Sequence, residues 1–549
     1  MKIKAYFFLS LILIIPCFYH HNLHTEELLP PPKPSNSPLI NSSQDFDAVS
    51  FFDTDTYTYT PLPAANITRS GLTPINILEF VNADMLELLQ KNFYKYTHPV
   101  NVRPLLELPA LRPPQEPCGC HKRLWNFNLF YNQTRKQYLT SRSPYIKDYL
   151  AFSDKEFTDI FDKIADIFHQ LAPDQPIPNL PEMLHLFDTI KFEERRAGAI
   201  FSALRNSGPF SFYAALPLYF IEHNFYVTPG EQNAIANSDF FRTYVGSGGE
   251  DHSVEDFLTK HVVHDFFGFG DLRLNGMWNL EKECSRLRLG VELSLPTSAI
   301  MTERMIGGPR CMMPTQPDLD IVKIANQIID GDYAYQPEII DLGVNALDRL
   351  ILVTGDTRLG EEQVRFGPRI DFDFNLSPHF VLHQMMLLEY QPRYTSTRFF
   401  REAKYASLFN RDYKNPNQAD QNIQFLEQRI VNMLYPPALE TRILPTCSLE
   451  YTLSGQWMCG CVHGEVGYDL WYRTREGVEI IESNYNPCPF DIQVAPRTKA
   501  MEHKLFGSLL WRHEGVWHTG DFGASLDGTI ANKGIGKSLT VSLIGTLTW

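Results

Sequence analysis

Charged side chains alternate with apolar ones along several segments of this chain. In the clearest of them, residues 364–374, the odd positions hold Arg365, Arg369, Asp371 and Asp373, while the even positions are mostly aromatic or aliphatic. Because residues two apart project from the same face of a β-strand, this pattern predicts a strand with one ionised face and one apolar face. A row of ionised groups can attract, repel or bind ions and polar solutes through its local field.

The same alternation recurs in a second pair of segments. Arg273 lies in the first, and Arg286, Arg288 and Glu292 lie in the second, again opposite leucine-rich faces. Unpaired ions are costly in a dry core, so we interpret the charged faces as the lining of a water-accessible lumen. The predicted lumen-lining residues are Arg273, Arg286, Arg288, Glu292, Arg365, Arg369, Asp371, Asp373 and Asp521. A wider count of inward positions, which includes Arg442, balances cations against anions and predicts weak ion selectivity or internal salt bridges.

The C-terminal segment indicates what surrounds the apolar faces. From Lys537 to Trp549, leucine, valine and glycine alternate with serine and threonine, and only Ile544 breaks the pattern. One face suits lipid and the other suits a wet lumen. The segment resembles the closing strand of bacterial outer-membrane proteins, and this resemblance implies that Trp549 acts as an assembly signal.

The elements that carry these faces are strands long enough to cross a bilayer, which takes about 9 to 11 tilted residues. We place candidate strands near 122–132, 193–205, 209–224, 268–281, 284–298, 362–375, 378–391, 440–454, 456–473, 502–513, 516–530 and 536–549. Their connections alternate between tight turns, one of them at Ser454-Gly455, and long loops, which is the asymmetry of outer-membrane barrels. The predicted fold is all-β: a transmembrane antiparallel up-and-down β-barrel of about 12 strands with long, partly helical extracellular loops.

Two smaller features are expected to accompany the barrel. Aromatic residues near the strand ends, Trp471 among them, would form interfacial girdles. In the loop 299–361, helical patterns at 319–329 and 339–353 could either plug the pore or form a lid at the outer surface.

The N-terminal region is predicted to lie outside the barrel. Residues 1–22 combine two lysines with a short apolar run, which is typical of a signal peptide. Residues 23–120 are predicted to form a proline-rich periplasmic extension with one short helix near 75–94, and residues 121–549 are predicted to form the barrel.

One hairpin adds a family resemblance. The segments 268–276, Gly-Phe-Gly-Asp-Leu-Arg-Leu-Asn-Gly, and 290–297, Gly-Val-Glu-Leu-Ser-Leu-Pro-Thr, resemble a hairpin of porin-like outer-membrane transporters of the long-chain fatty acid and phenol-pathway type. The resemblance covers about 30 residues and implies a porin-like barrel that passes hydrophobic compounds. The long helical loops depart from that family, so the substrate class is not carried over.

Several other motifs do not support a chemical function. Gly534-Ile-Gly-Lys-Ser538 lacks the first glycine of a phosphate-binding loop, since Ala531 stands there, and a strand follows it. His261, His264 and Asp265 cluster before a strand, but they fit an exposed helical stretch better than a hydrolytic or metal site. The cysteine pairs Cys118-Gly-Cys120 and Cys459-Gly-Cys461 lack the usual spacing of zinc sites. We therefore predict no metal site, no cofactor and no enzyme activity.

These features predict a porin-like channel or transporter in the bacterial outer membrane, through which small solutes pass passively. The alternative is a surface structural or adhesion protein whose large outer loops bind a partner while the barrel anchors them. The expected partners are outer-membrane lipid, the outer-membrane assembly machinery and, for the channel, small solutes. The net charge of -15 argues against a nucleic-acid partner.

Overall fold

The structure is a computed structural model. It describes residues 73, 74, 78, 93–101, 103, 123–135, 149–151, 162, 191–226, 228–238, 241, 242, 245, 253–261, 263–282, 284–298, 318–330, 332, 335–354, 363–402, 416–481, 490–515 and 518–548. All of them belong to one compact unit, Thr68–Trp549.

Twelve strand positions close into one antiparallel barrel, which confirms the predicted fold. The seam is formed by β1 (Arg123–Arg135), which pairs along its length with β16 (Lys537–Thr548) on one side and β2 (Lys191–Ser207) on the other. The rest of the wall consists of β3 (Phe210–Tyr226), β4 (Val263–Phe269) with β5 (Leu272–Lys282), β6 (Ser285–Leu295), β7 (Arg365–Ser377), β8 (Phe380–Gln391), β11 (Thr446–Cys459), β12 (Val462–Arg473), β14 (Ala500–Glu514) and β15 (Thr519–Lys533).

The segments β4 and β5 are two halves of one wall strand, interrupted at Gly270 and Asp271. The neighbouring β3 pairs with β4 beyond Leu218 and with β5 up to Ala215. Between these stretches lies Pro217, which has no N–H to donate to the ladder. The break is bridged by a single hydrogen bond, in which the Gly270 N–H donates to the Pro217 carbonyl at 2.9 Å.

The outward face of the wall is apolar. Along β1, buried residues alternate with exposed ones, and the exposed ones include Trp125, Phe127 and Leu129. An apolar band of this kind suits hydrocarbon and not water.

Trp471 does not lie on this outward face. It is only 3% exposed and projects to the same inward side of β12 as Asp469, so its assignment to an interfacial girdle is wrong.

The two ends of the barrel differ in the length of their connections. One end carries tight turns, at 208–209, 283–284, 378–379, 460–461 and 515–518. The other end carries the long connections, at 136–190, 227–262, 296–364, 392–445 and 474–499, and the short turn 534–536. One turn was misplaced by the sequence pattern: Ser454 and Gly455 lie within β11, and the chain reverses at Gly460, whose φ is +60°. Glycine adopts that backbone conformation without a Cβ clash.

A region that we call the cap lies at the long-loop end. It consists of α1 (Pro229–Asn237), α2 (Val254–His261), α3 (Ile321–Asp330), α4 (Tyr335–Thr354), α5 (Pro416–Leu434), the 3-10 turn Ile492–Val494 and a small antiparallel sheet of β9 (Tyr394–Phe399), β10 (Ala438–Ile443) and β13 (Val478–Ile480). The helices predicted near 319–329 and 339–353 are confirmed as α3 and α4. None of the described helices is long and apolar enough to span a membrane.

The cap has its own hydrophobic cores. One joins α1, α2 and α4 to the described N-terminal residues through buried side chains: Phe93, Tyr94, Val100, Ile235, Phe257, Ile340, Val344 and Val353. A second, around Phe400, Ile443 and Phe490, lies beside the small sheet. Most of the predicted extension 23–120 and of its helix near 75–94 lies outside the described residues, as do the signal peptide and Trp549. The predictions for those segments stay predictions.

Candidate functional site in the barrel lumen

The lumen is divided into sectors of different chemistry. Inward residues on β5 to β8 include a group of charged side chains among apolar ones such as Met277, Met385 and Leu387. Inward residues on β1 and β16 are uncharged: they are asparagine, serine and threonine, together with the buried apolar residues Leu124, Phe130 and Ile544. Three acidic residues lie on β11, β12 and β14. In the strand order of the closed wall, the first two sectors lie on opposite sides and the acidic residues lie between them.

The charged sector is an ion-pair ladder that contains seven of the predicted lumen residues, all buried. Its centre is Arg369, which is 1% exposed. Arg369 Nη1 lies 3.0 Å from Glu292 Oε2, and Arg369 Nε lies 3.0 Å from Asp371 Oδ1. Arg273 Nη1 donates to the other oxygen of Glu292 at 2.8 Å. Alternation along β5, β6 and β7 brings these groups to one face, as the sequence pattern predicted.

The ladder continues in both directions along the wall. Toward the cap, Arg365 Nη1 donates to Glu389 Oε2 at 3.1 Å. Toward the tight turns, Arg288 Nη2 lies 3.1 Å from Asp373 Oδ2, and Asp373 also contacts His383. The ladder therefore pairs four arginines with four carboxylates. Buried pairs of this kind fix side-chain positions but leave little net field for a passing solute.

The other predicted lumen residues lie near the tight-turn end and are less buried. Arg286 pairs with Glu281 at 2.8 Å, and Asp521 pairs with Arg512 at 2.8 Å. Arg442, included in the wider count of inward charges, is not in the lumen. It lies on β10 of the cap, half exposed, opposite Glu479 on β13.

The uncharged sector holds buried polar atoms that have no partner among the residues that the structure describes. Asn128 is 0% exposed, and neither its amide nitrogen nor its amide oxygen makes a hydrogen bond. The Oδ1 of Asn126 and the Oγ of Ser542, on the same pair of strands, are also without partners. Each such group costs about 1 to 3 kcal/mol unless something outside the chain bonds to it. This wall is therefore built to bond to water or to a polar solute.

The acidic residues Glu450, Asp469 and Glu502 come from three consecutive wall strands, and we call them the acidic triad. All three bind one guanidinium, that of Arg103. Arg103 Nη1 donates to Asp469 Oδ2 at 2.6 Å and lies 3.3 Å from Glu502 Oε2, and Arg103 Nη2 contacts Glu450. A residue from before the first strand thus lies inside the barrel and neutralises part of its wall.

Residues 93–101 lead to Arg103 across the cap, and we call these residues together with Arg103 the strap. The strap is hydrogen-bonded to three separate segments of the cap, at the C-terminal ends of α4 and α5 and at the 3-10 turn. The Thr97 N–H donates to the Val494 carbonyl at 3.2 Å, and the Val100 N–H donates to the Thr354 carbonyl at 3.1 Å. The Tyr94 hydroxyl donates to the Leu434 carbonyl at 3.1 Å.

At the barrel rim the strap is held by Asn101. Its Nδ2 donates to the carbonyl of Gly534, in the turn between β15 and β16, at 2.8 Å, and to the carbonyl of Thr498 at 3.1 Å. Its Oδ1 accepts a hydrogen bond from Arg473, at the end of β12 nearest the cap. The strap therefore spans from the cap to the lumen wall. It is held by hydrogen bonds and ion pairs and, at Phe93, Tyr94 and Val100, by packing in the hydrophobic core of the cap.

A titratable group of the strap, His98, lies near a titratable group of the cap, Glu476, where the strap docks. Burial lowers the pKa of His98 to about 4, and this outweighs the opposing effects of its hydrogen bond to the Pro99 carbonyl and of Glu476. Burial alone would raise the pKa of Glu476, but Arg398, Arg497 and Arg473 outweigh it and lower that pKa to about 2. At neutral pH, His98 is uncharged and Glu476 is charged.

Sequence reasoning missed several charged members of the lumen, among them Glu389, Glu502, Arg103 and the buried β2 pair Glu194 and Arg196. Glu389 and Glu502 follow the same alternation as the predicted residues, so a fuller count of the strands β8 and β14 would have included them. Arg103 was assigned to the extension, because proline clusters surround it and nothing local signals a buried position. Its role depends on contacts across more than 300 positions of the chain.

The other candidate groups add no chemistry in the described part of the chain. Cys284, Cys447, Cys459 and Cys461 are not in disulfides, and no group of described residues is arranged to hold a metal ion. Residues 534–538 form the turn into β16 and not a phosphate-binding loop. The side chains of His261, His264 and Asp265 lie outside the described residues.

A closed antiparallel barrel with an apolar exterior, a polar interior and long connections at one end defines a porin-like transmembrane β-barrel of the bacterial outer-membrane type. No protein-family model and no curated protein sequence matches the chain.

Solved structures that are similar to the chain include an outer-membrane channel from Pseudomonas putida F1, at 9% identity and a TM-score of 0.38, covering 80% of this chain and 99% of that one. The toluene transporter TbuX from Ralstonia pickettii is similar at 7% identity and a TM-score of 0.31, covering 78% and 90%. The toluene transporter TodX from Pseudomonas putida is similar at 7% identity and a TM-score of 0.27, covering 84% and 95%. At these identities and TM-scores the similarities do not identify a substrate.

Proposed function

We propose that the protein is an outer-membrane channel for small water-soluble solutes, closed at its mouth by the strap. The observation that supports it best is the unpartnered polar wall formed by Asn126, Asn128 and Ser542. A lumen filled for stability alone would pair these groups within the chain, whereas a pathway leaves them for water or solute. The proposal also assigns the protein no enzyme activity.

The closed state follows from the strap. Arg103 covers the acidic triad on its lumen side. Asn101 is hydrogen-bonded to the turn at Gly534 on the barrel rim. Because these contacts are not covalent, the strap can leave its position while the barrel wall stays intact. Passage of solute would then be passive, through a lumen whose walls are already formed.

Conductance in planar bilayers tests this function. The variant Asn101→Ala/Arg401→Ala removes the hydrogen bonds that hold the strap at the rim and at the Tyr94 and Lys95 carbonyls. We expect this variant to conduct ions and to admit small sugars into liposomes at several times the rate of the unmodified protein. Arg442→Ala, a change at an exposed cap arginine, is the matched control and should behave like the unmodified protein.

Absence of current and of sugar uptake in the unmodified protein and in every strap variant would contradict the channel. That result would favour the alternative, in which the barrel anchors a cap that binds a partner at the cell surface.

A further inference from the structure

We propose that Glu450, Asp469 and Glu502 form a binding site for the guanidinium or ammonium group of a small organic cation, and that Arg103 occupies this site as a ligand supplied by the chain itself. The inference deepens the proposed function and rests on it for transport, since it names the class of solute that the open lumen would bind. Binding itself does not depend on whether the barrel conducts.

The first argument is the charge of the wall. The three triad carboxylates have side-chain exposures of 8%, 0% and 2%. Two wall cations lie near the triad, and both are engaged by other carboxylates: Lys504, opposite Asp469 in the strand register, by Asp527 at 2.8 Å, and Arg273 by Glu292 at 2.8 Å. Without Arg103 the triad would therefore hold buried negative charge that no described cation fully matches, which is strongly unfavourable. A cation from solution would remove that cost.

The second argument is the hydrogen-bonding capacity that Arg103 leaves unused. Asp469 is 0% exposed, and within the described part of the chain its Oδ1 has no hydrogen-bond partner although its Oδ2 accepts from Arg103. Thr452 lies directly opposite Asp469 in the register between β11 and β12 and is also 0% exposed, and its Oγ1 has no partner there either. Two buried polar atoms thus adjoin the occupied site, and they can accept further N–H groups.

The third argument is the geometry of the ligand already present. A guanidinium has N–H donors in a fixed planar fork, and here two of its nitrogens meet carboxylates on three different strands. Glu502 is held in place from behind, because Thr529 and Ser538 donate to its Oε1 at 2.6 Å and 2.9 Å. The arrangement suits a planar or multiply donating nitrogen cation more than a spherical inorganic one.

Binding can be measured without any conductance. In Arg103→Ala, guanidinium or ethylguanidinium at about 100 times its Kd should raise the unfolding midpoint by several degrees, while equal potassium chloride should not. The same additions should have no effect on Arg103→Ala/Glu450→Gln/Asp469→Asn/Glu502→Gln. If Arg103→Ala does not fold alone, the readout is its refolding yield. Rescue by guanidinium but not by potassium supports the site.

Ion selectivity provides an independent measurement. The reversal potential of Arg103→Ala in a potassium chloride gradient should shift to a preference for cations of at least several fold over the unmodified protein. Arg442→Ala is the surface control and should behave like the unmodified protein.

Two results would overturn the cation site. One is a potassium effect on stability as large as that of guanidinium, and the other is a conducting Arg103→Ala without cation preference. Absence of conductance in all variants would instead contradict the channel function, and the unfolding measurements would still decide whether the cation site exists.

Discussion

Arg103 Nη1 and Asp469 Oδ2 lie 2.6 Å apart although 366 positions separate the two residues in the chain. Arg103 belongs to the strap, and Asp469 belongs to the barrel wall. The pair therefore links the position of the cap to the charge of the lumen. A movement of the strap that separates them exposes carboxylates inside the barrel and removes the Arg103 side chain from the lumen at the same time.

Acidification should loosen the strap through His98. Its pKa is lowered to about 4 when docked, against 6.5 in its unperturbed state, so the undocked segment binds a proton more readily. No stability is lost above pH 6.5, and docking weakens progressively as the pH falls from 6.5 toward 4. The groups that face His98 are Glu476, Arg497 and Arg398, with the Tyr149 hydroxyl donating to the His98 carbonyl.

The helical circular dichroism signal measures this effect, since all the described helices lie in the cap. Its thermal midpoint in the unmodified protein should fall over that pH range, relative to His98→Gln, which does not titrate. His379→Gln, at an exposed position in the turn between β7 and β8, is the matched control. An equal fall in the His98→Gln variant would show that another group is responsible.

Glu476 should stabilise the cap at neutral pH. Its pKa is about 2 in the folded cap, against 4.5 for an unperturbed glutamate carboxyl, because Arg398, Arg497 and Arg473 outweigh its burial. The resulting stability of roughly 3 kcal/mol is present above pH 4.5 and is lost as the pH falls through 2. Glu476→Gln should remove it at pH 7, seen as a lower midpoint of the helical signal. An unchanged midpoint would mean that the ion pairs of Glu476 make no net contribution to the stability of the cap.

Arg369 should be the most costly single residue to remove from the ladder. Arg369→Met leaves Glu292 and Asp371 without their shared cation, which costs about 3 to 5 kcal/mol at a buried site. Replacing all three, as Arg369→Met/Glu292→Gln/Asp371→Asn, should restore much of the loss. Denaturant midpoints of the refolded barrel measure both changes. A triple variant that is less stable than the single one would contradict the ion-pair explanation.

Val541 should tolerate apolar but not charged substitution. It is 48% exposed near the middle of β16, where the outward face meets hydrocarbon. Val541→Arg should destabilise the inserted barrel by about 2 to 4 kcal/mol, whereas Val541→Leu should be nearly neutral. Refolding into lipid vesicles measures the difference. Equal stability of the two variants would place this face in water.

The barrel itself was predictable because its signals are local. Residues two apart share a face, so the alternation around Arg369 gives the strand and its inward side together. The alternation of short and long connections also predicted which end of the barrel carries the tight turns and which carries the long loops. The misplaced turn at Ser454-Gly455 shows the limit of this approach: serine and glycine are turn formers, but here both lie within a ladder that continues to Cys459.

The candidate site was predictable only where it follows the strand period. Arg273, Glu292 and Asp373 lie where alternation places them, whereas Arg103 does not belong to any strand. Its position is set by partners on β11, β12 and β14, which are remote in the chain. Arg442 shows the opposite error. It does lie on a strand with an alternating pattern, but that strand, β10, belongs to the small cap sheet and not to the barrel wall.

The seam between β1 and β16 bears on how the barrel is made. It joins Leu124 to Thr548, the longest sequence separation of any strand pairing in the described wall. Such a pairing has a very high contact order and is intrinsically slow to form. Until it forms, the unpaired edges of β1 and β16 cannot satisfy their backbone groups in lipid. Insertion should therefore be all-or-none, and the closing of this seam should be the step that an assembly factor accelerates.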